Sequence, residues 1–176
     1  MGSLNKGVGK VEVTLRWDPS PMGEPPHDLD IIAATYTADD PYGSPAYVVH
    51  FDSRSPDGTI TLNRESRNGQ GFGFDEVMTL ELDRLAPVYT RVVVGMAIQQ
   101  GGGRKTFGGI SNTGFRIREG YTVLAESDFA DVSASTAATV AEFTRGASGG
   151  WDFRPVVRGF DADPNSFAGA MGSTLT

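Results

Sequence analysis

Val11-Glu12-Val13-Thr14-Leu15-Arg16-Trp17 is the stretch on which the fold turns. Val11, Val13, Leu15 and Trp17 alternate with Glu12, Thr14 and Arg16. Side chains of a strand point to opposite faces in turn, so this pattern predicts one buried face and one wet face, with Trp17 inside. Working outward, residues 18–27 hold four prolines and read as a loop. Residues 29–37 are apolar and β-favouring, a strand buried on both faces. Turn chemistry at 39–45 leads to a short strand at 47–51, which Asp52 closes. Ser55-Pro56-Asp57-Gly58 has the type I turn signature. Residues 59–62 are therefore expected to return as the partner of 47–51 in a hairpin.

Further along, Met78, Leu80 and Leu82 alternate with Thr79 and Glu81, and 83–85 form a helical turn that stops before Pro87. Residues 91–99 are a Val-rich central strand and 101–109 a glycine-rich loop. Phe115 and Ile117 alternate with Arg116 and Arg118. Strands follow at 121–129 and 136–145; Thr139, Val140, Phe143 and Thr144 favour strand over helix in the second. The last strand, 151–160, carries Pro155, which implies an edge or a bulge. About nine or ten short strands without a long helix predict an all-β protein, an antiparallel β-sandwich. The expected domain is 1–160, with 161–176 as a loose C-terminal tail.

The totals agree with one domain. The chain has 176 residues, 39% of them hydrophobic, enough for a packed core. A net charge of −7 disfavours nucleic acid, whose phosphates need Lys and Arg, and favours a cation. Cysteine is absent, so there is neither a disulfide framework nor a thiolate metal site, as suits a cytoplasmic protein. No apolar run is long enough to insert into a membrane, and residues 1–7 lack the apolar stretch of a signal peptide.

Two acidic stretches carry the candidate chemistry. Residues 63–76 are rich in side-chain oxygens, with Gly69, Gly71 and Gly73 at every second position. Hard cations such as calcium take six to eight oxygen ligands. Glu65, Asn68, Asp75 and Glu76 offer several on a pliable backbone. The other reading of this stretch is a solvated hairpin loop. Asp28 and Asp30 are two apart in a strand and project together, which is unfavourable without a cation, an arginine or a proton between them. Residues 52–56 are no EF-hand, because Arg54 and Pro56 stand where oxygen ligands are needed. Neither glycine-rich loop fits a nucleotide-binding pattern. His27 and His50 are the only histidines, and nothing marks a matching nucleophile, so no enzymatic activity is expected.

These residues carry a family likeness. Trp17-Asp18, Asp28-Leu29-Asp30 followed by Ala33-Ala34, and Ser55-Pro56-Asp57-Gly58 fall in the order of the TerD-type tellurium resistance domain. So do Gly69-x-Gly71-x-Gly73 with Asp75-Glu76, Phe107-Gly108, Phe115-Arg116-Ile117, and Trp151-Asp152-Phe153 leading to Gly159. The chain resembles that family, a calcium-binding β-sandwich of bacterial stress proteins, over nearly its whole length. The resemblance implies Ca2+ as ligand of Asp28, Asp30, Asp75 and Glu76, with Asn68 beside them, and other stress-response proteins as partners. The chain departs from the family at Ser66, where an amide is usual, and at Phe74, where a carboxylate is usual. Fewer anionic ligands weaken calcium binding. Two alternatives stay open: a carbohydrate-recognition module using Trp17, Tyr36, Tyr42, Tyr47, Phe72, Phe74 and Trp151, and a metal-free interaction scaffold of the same fold.

Overall fold

The computed structural model describes residues 7–64, 75–101 and 103–173. In chain order the strands are β1 (Lys10–Arg16), β2 (Leu29–Thr37), β3 (Tyr47–Val49), β4 (Ile60–Arg64) and β5 (Glu76–Glu81). They continue with β6 (Tyr89–Ile98), β7 (Gly114–Glu119), β8 (Thr122–Ser127), β9 (Ala137–Arg145) and β10 (Trp151–Phe160), and one helix follows, α1 (Pro164–Ala170). Two five-stranded sheets result, ordered β4-β5-β1-β7-β8 and β10-β9-β6-β2-β3, with every strand pair antiparallel. The all-β sandwich expected from the sequence is the observed fold. Among the described residues no helix is long and apolar enough to cross a membrane.

The alternation in β1 does what its period dictates. Val11, Val13 and Leu15 are fully buried and meet Leu29, Ile31, Val92, Val94 and Met96 of the other sheet in the main core. On the opposite face Glu12 pairs with Arg118 of β7, its register partner. β1 is central in its sheet, flanked by β5 and β7, so both ladder edges of its backbone are satisfied. Pro155 lies in β10, an edge strand, and the register with β9 shifts between Pro155 and Arg158. A residue without an N–H is tolerated there because the missing bond belongs to no central ladder.

Two expectations are corrected. The first is the hairpin of 47–51 with 59–62. β3 pairs with β2, while β4 pairs with β5 in the other sheet. His50 and Ser53 exchange backbone hydrogen bonds of 3.0 and 3.1 Å, which ends β3 at Val49. The Ser55–Gly58 turn then carries the chain across the sandwich, fastened by Asp57 Oδ1, which accepts from the Thr59 amide at 3.1 Å and its hydroxyl at 2.7 Å. Turn chemistry reverses the chain locally and says nothing about which sheet receives the next strand.

The second correction is the tail. Residues 164–170 form α1, opened by Pro164 and capped by the Asp163 carboxylate, which accepts from the Ser166 amide at 2.8 Å. Phe167 and Met171 are buried against Ile32, Ala34, Tyr36, Val93, Ala97 and Ala137 on the outward side of the second sheet. That side is apolar and would otherwise face water. Helix α1 explains why β2 and β6 are buried on both faces, and it makes the segment part of the domain.

Candidate metal centre

The first turns of β2 and β5 meet at one end of the sandwich. Leu15 pairs with Glu76 in the ladder between β1 and β5. Just before it, the Asp75 amide donates to the Leu15 carbonyl at 2.8 Å, and Asp75 Oδ2 accepts the Trp17 amide at 2.8 Å. Trp17 in turn donates its indole N–H to the His27 carbonyl at 2.7 Å, tying the end of β1 to the chain that enters β2. The two sheets are then joined directly, since Glu76 Oε1 accepts the Ile31 amide at 2.9 Å. The last contributor is Gln99, directly after β6, whose amide donates to the Asp28 carbonyl at 2.8 Å and whose side chain donates to Asp30 Oδ2 at 2.7 Å.

This scaffold brings Asp28, Asp30 and Glu76 together, each offering a carboxylate oxygen within 4.8 Å of the others. Asp30 and Glu76 are buried and Asp28 is partly so. Three carboxylates at that spacing, two of them buried, repel one another in their charged forms. A bound cation removes the conflict. The donors are all oxygen, which suits a hard ion of the calcium or magnesium kind over a thiolate- or imidazole-seeking metal.

Asp75 is buried beside this group, with one oxygen committed to Trp17. Glu65 and Asn68 lie outside the described residues, as do Ser66, Phe72 and Phe74. Asp52 stands beyond the end of β3 and lines a cleft of about 380 Å³ together with Asp30, His50, Gln99 and Asp163. His50 Nδ1 accepts the Asp52 amide at 3.1 Å, and burial lowers the pKa of that imidazole. Trp17, Tyr36 and Trp151 are buried, so they offer no aromatic platform for a sugar ring. Gln99 escaped the sequence reading because an amide at the end of an apolar strand looks like an ordinary strand end. The one signal was the abrupt Gln99-Gln100 after residues 92–98, which are all buried.

Comparison with known proteins agrees with this architecture. The TerD domain family matches residues 2–169. The tellurium resistance protein TerD of Alcaligenes sp. is 28% identical over 166 residues, covering 90% of this chain and 86% of that protein. A solved structure of a protein of unknown function is 62% identical with a TM-score of 0.95, over 97% of this chain and 100% of that one. A second solved structure, of a homologue of the telluride resistance protein TerD from Streptomyces coelicolor A3(2), is 61% identical. Its TM-score is 0.94, over 96% of this chain and 100% of that one. With the family matched from the second residue into α1, and its sandwich shared with a solved TerD homologue, the chain belongs to the TerD domain family.

Proposed function

We propose that the chain is a non-enzymatic, cytoplasmic calcium-binding protein that works in tellurium resistance or a related stress response, as the name of its Alcaligenes relative suggests. The observation that carries the calcium reading is the meeting of Asp28, Asp30 and Glu76 within 4.8 Å at the junction of the two sheets. Asp28 and Asp30 would hold the ion from the start of β2, and Glu76 from the start of β5. The ion supplies positive charge to an oxygen-only site. The chain supplies rigidity: Trp17, Asp75 and Gln99 hold the strand ends through the hydrogen bonds described above. Because the carboxylates come from different sheets, binding fastens the sandwich at that end. The exterior of that end of the sandwich, rather than the largely buried carboxylates, is the surface we assign to partner stress-response proteins.

Calorimetric titration of chelator-stripped protein with calcium, with magnesium as control, tests the reading. Calcium should bind with heat and raise the melting temperature; at a hundredfold excess over Kd, linkage predicts about 2.7 kcal/mol of stabilisation. Asp30→Asn keeps the shape and removes one charge, and should abolish most of that shift. Absence of heat and of any shift at millimolar calcium, or an undiminished shift in Asp30→Asn, would remove the reading.

A further inference from the structure

We infer that Gln99 is the positioning residue of the cation site, which rests on the calcium reading above. Its two hydrogen bonds bracket the pair on β2. The backbone N–H reaches the Asp28 carbonyl at 2.8 Å and extends the ladder between β2 and β6 past Leu29 and Ile98. The side-chain N–H reaches Asp30 Oδ2 at 2.7 Å and fixes the rotation of a carboxylate that is only 2% exposed. The residue after Gln99 is anchored as well. Gln100 donates to the Ile98 carbonyl at 3.0 Å and exchanges bonds of 2.8 and 3.0 Å with the backbone of Lys105.

The chemistry of the amide matters. Gln99 is neutral, so it orients Asp30 without adding to the charge of the three carboxylates. Calcium sites set their affinity by ligand charge and by rigidity. Gln99 contributes rigidity alone. A partner that orients a metal-ligating carboxylate typically carries a ten- to hundredfold share of affinity.

The test is calcium titration of the whole chain, paired with melting in chelator, for wild type and three variants. Gln99→Met keeps the length and removes the donor; calcium affinity should fall about ten- to hundredfold, by more than any loss in calcium-free melting accounts for. Gln99→His restores an N–H and should recover most of the loss. Gln99→Glu turns a fourth carboxylate toward Asp30, so the calcium-free protein should melt lower and gain more from calcium. The inference is overturned if Gln99→Met binds calcium as wild type does, or if its affinity falls only together with calcium-free stability. A wild-type protein that takes up no calcium removes the cation reading and this role with it. A wild-type protein that binds while Gln99→Met is indifferent removes the role of Gln99 alone.

Discussion

Arg91 shows how much a single residue can organise. It is 7% exposed, and its Nε donates to Glu142 Oε2 at 2.6 Å. Its Nη1 donates to the carbonyls of Pro41 and Gly172, each at 2.7 Å, and the rings of Tyr36 and Tyr42 flank the guanidinium at 5.2 and 4.7 Å. Glu142 shares its other oxygen with Arg154 at 2.7 Å. Removing one member of a buried pair leaves the other charge stranded, so Glu142→Ala should destabilise the protein by about 3 kcal/mol in urea unfolding. Replacing both as Arg91→Met with Glu142→Leu should cost less than the sum of the single losses; additive losses would argue against a coupled pair. At this scale the sequence was partly legible. Asp28 and Asp30 stood out at a strand start and Glu76 at the end of a glycine-rich loop, whereas Arg91 and Glu142 did not. They are fifty-one positions apart, and only the pairing of β6 with β9 makes them neighbours.

Among the elements, α1 has the largest effect for its length. It is seven residues long, far below the length at which a helix is stable alone. It exists because Phe167 and Met171 find an apolar sheet face. Gly95 of β6 makes the close approach possible: a Cβ there would lie 2.6 Å from the Phe167 ring and 2.7 Å from the Ala138 carbonyl. Phe167→Ala should cost about 3–5 kcal/mol, the range for truncating a buried aromatic. Gly95→Ala should be destabilising as well, because a backbone carbonyl cannot step aside. Denaturant unfolding of both variants checks this, and stability unchanged in either would mean that the helix is not held by the sheet. The helix was missed because two anchoring residues in a polar segment produce little periodicity. The clue lay elsewhere, in the apolar run of β2, since a strand buried on both faces needs something to cover the second one. The hairpin expected from Ser55–Gly58 failed for a related reason. Alternation identifies a strand and a turn identifies a reversal, but neither names the partner.

For the whole molecule, buried phenols contribute a pH dependence of stability on the alkaline side, Tyr36 foremost and Tyr47 beside it. Burial among Ile32, Ala34 and Phe167 pushes the Tyr36 phenol up to about 12, against an ordinary value of 10.0. The folded state therefore keeps a proton that the unfolded chain gives up. The stabilisation is fully present below pH 10.0 and is lost as pH rises toward about 12. Of the five tyrosines, Tyr36 should ionise late in a phenolate absorbance titration, together with the onset of unfolding. Early ionisation of all five in a protein that stays folded would contradict its burial. Gly172, just beyond α1, sits against the Tyr36 hydroxyl, which places this phenol beneath the end of the helix.

The sequence by itself determined what depends on neighbours along the chain. Alternation of apolar and polar residues settled β1, β5 and β7, and unbroken apolar, β-favouring runs settled β2 and β6, because both patterns are written locally. It also placed two carboxylates, Asp28 and Asp30, at one strand start. Only the tertiary structure decided what depends on approach in space. It set β3 and β4 in different sheets, laid α1 over β2 and β6, and brought Gln99 to Asp30 across sixty-nine positions. Burial can be satisfied by many partners of the same polarity. Which partner wins is settled by the packing of the whole sandwich, a quantity that no local window contains.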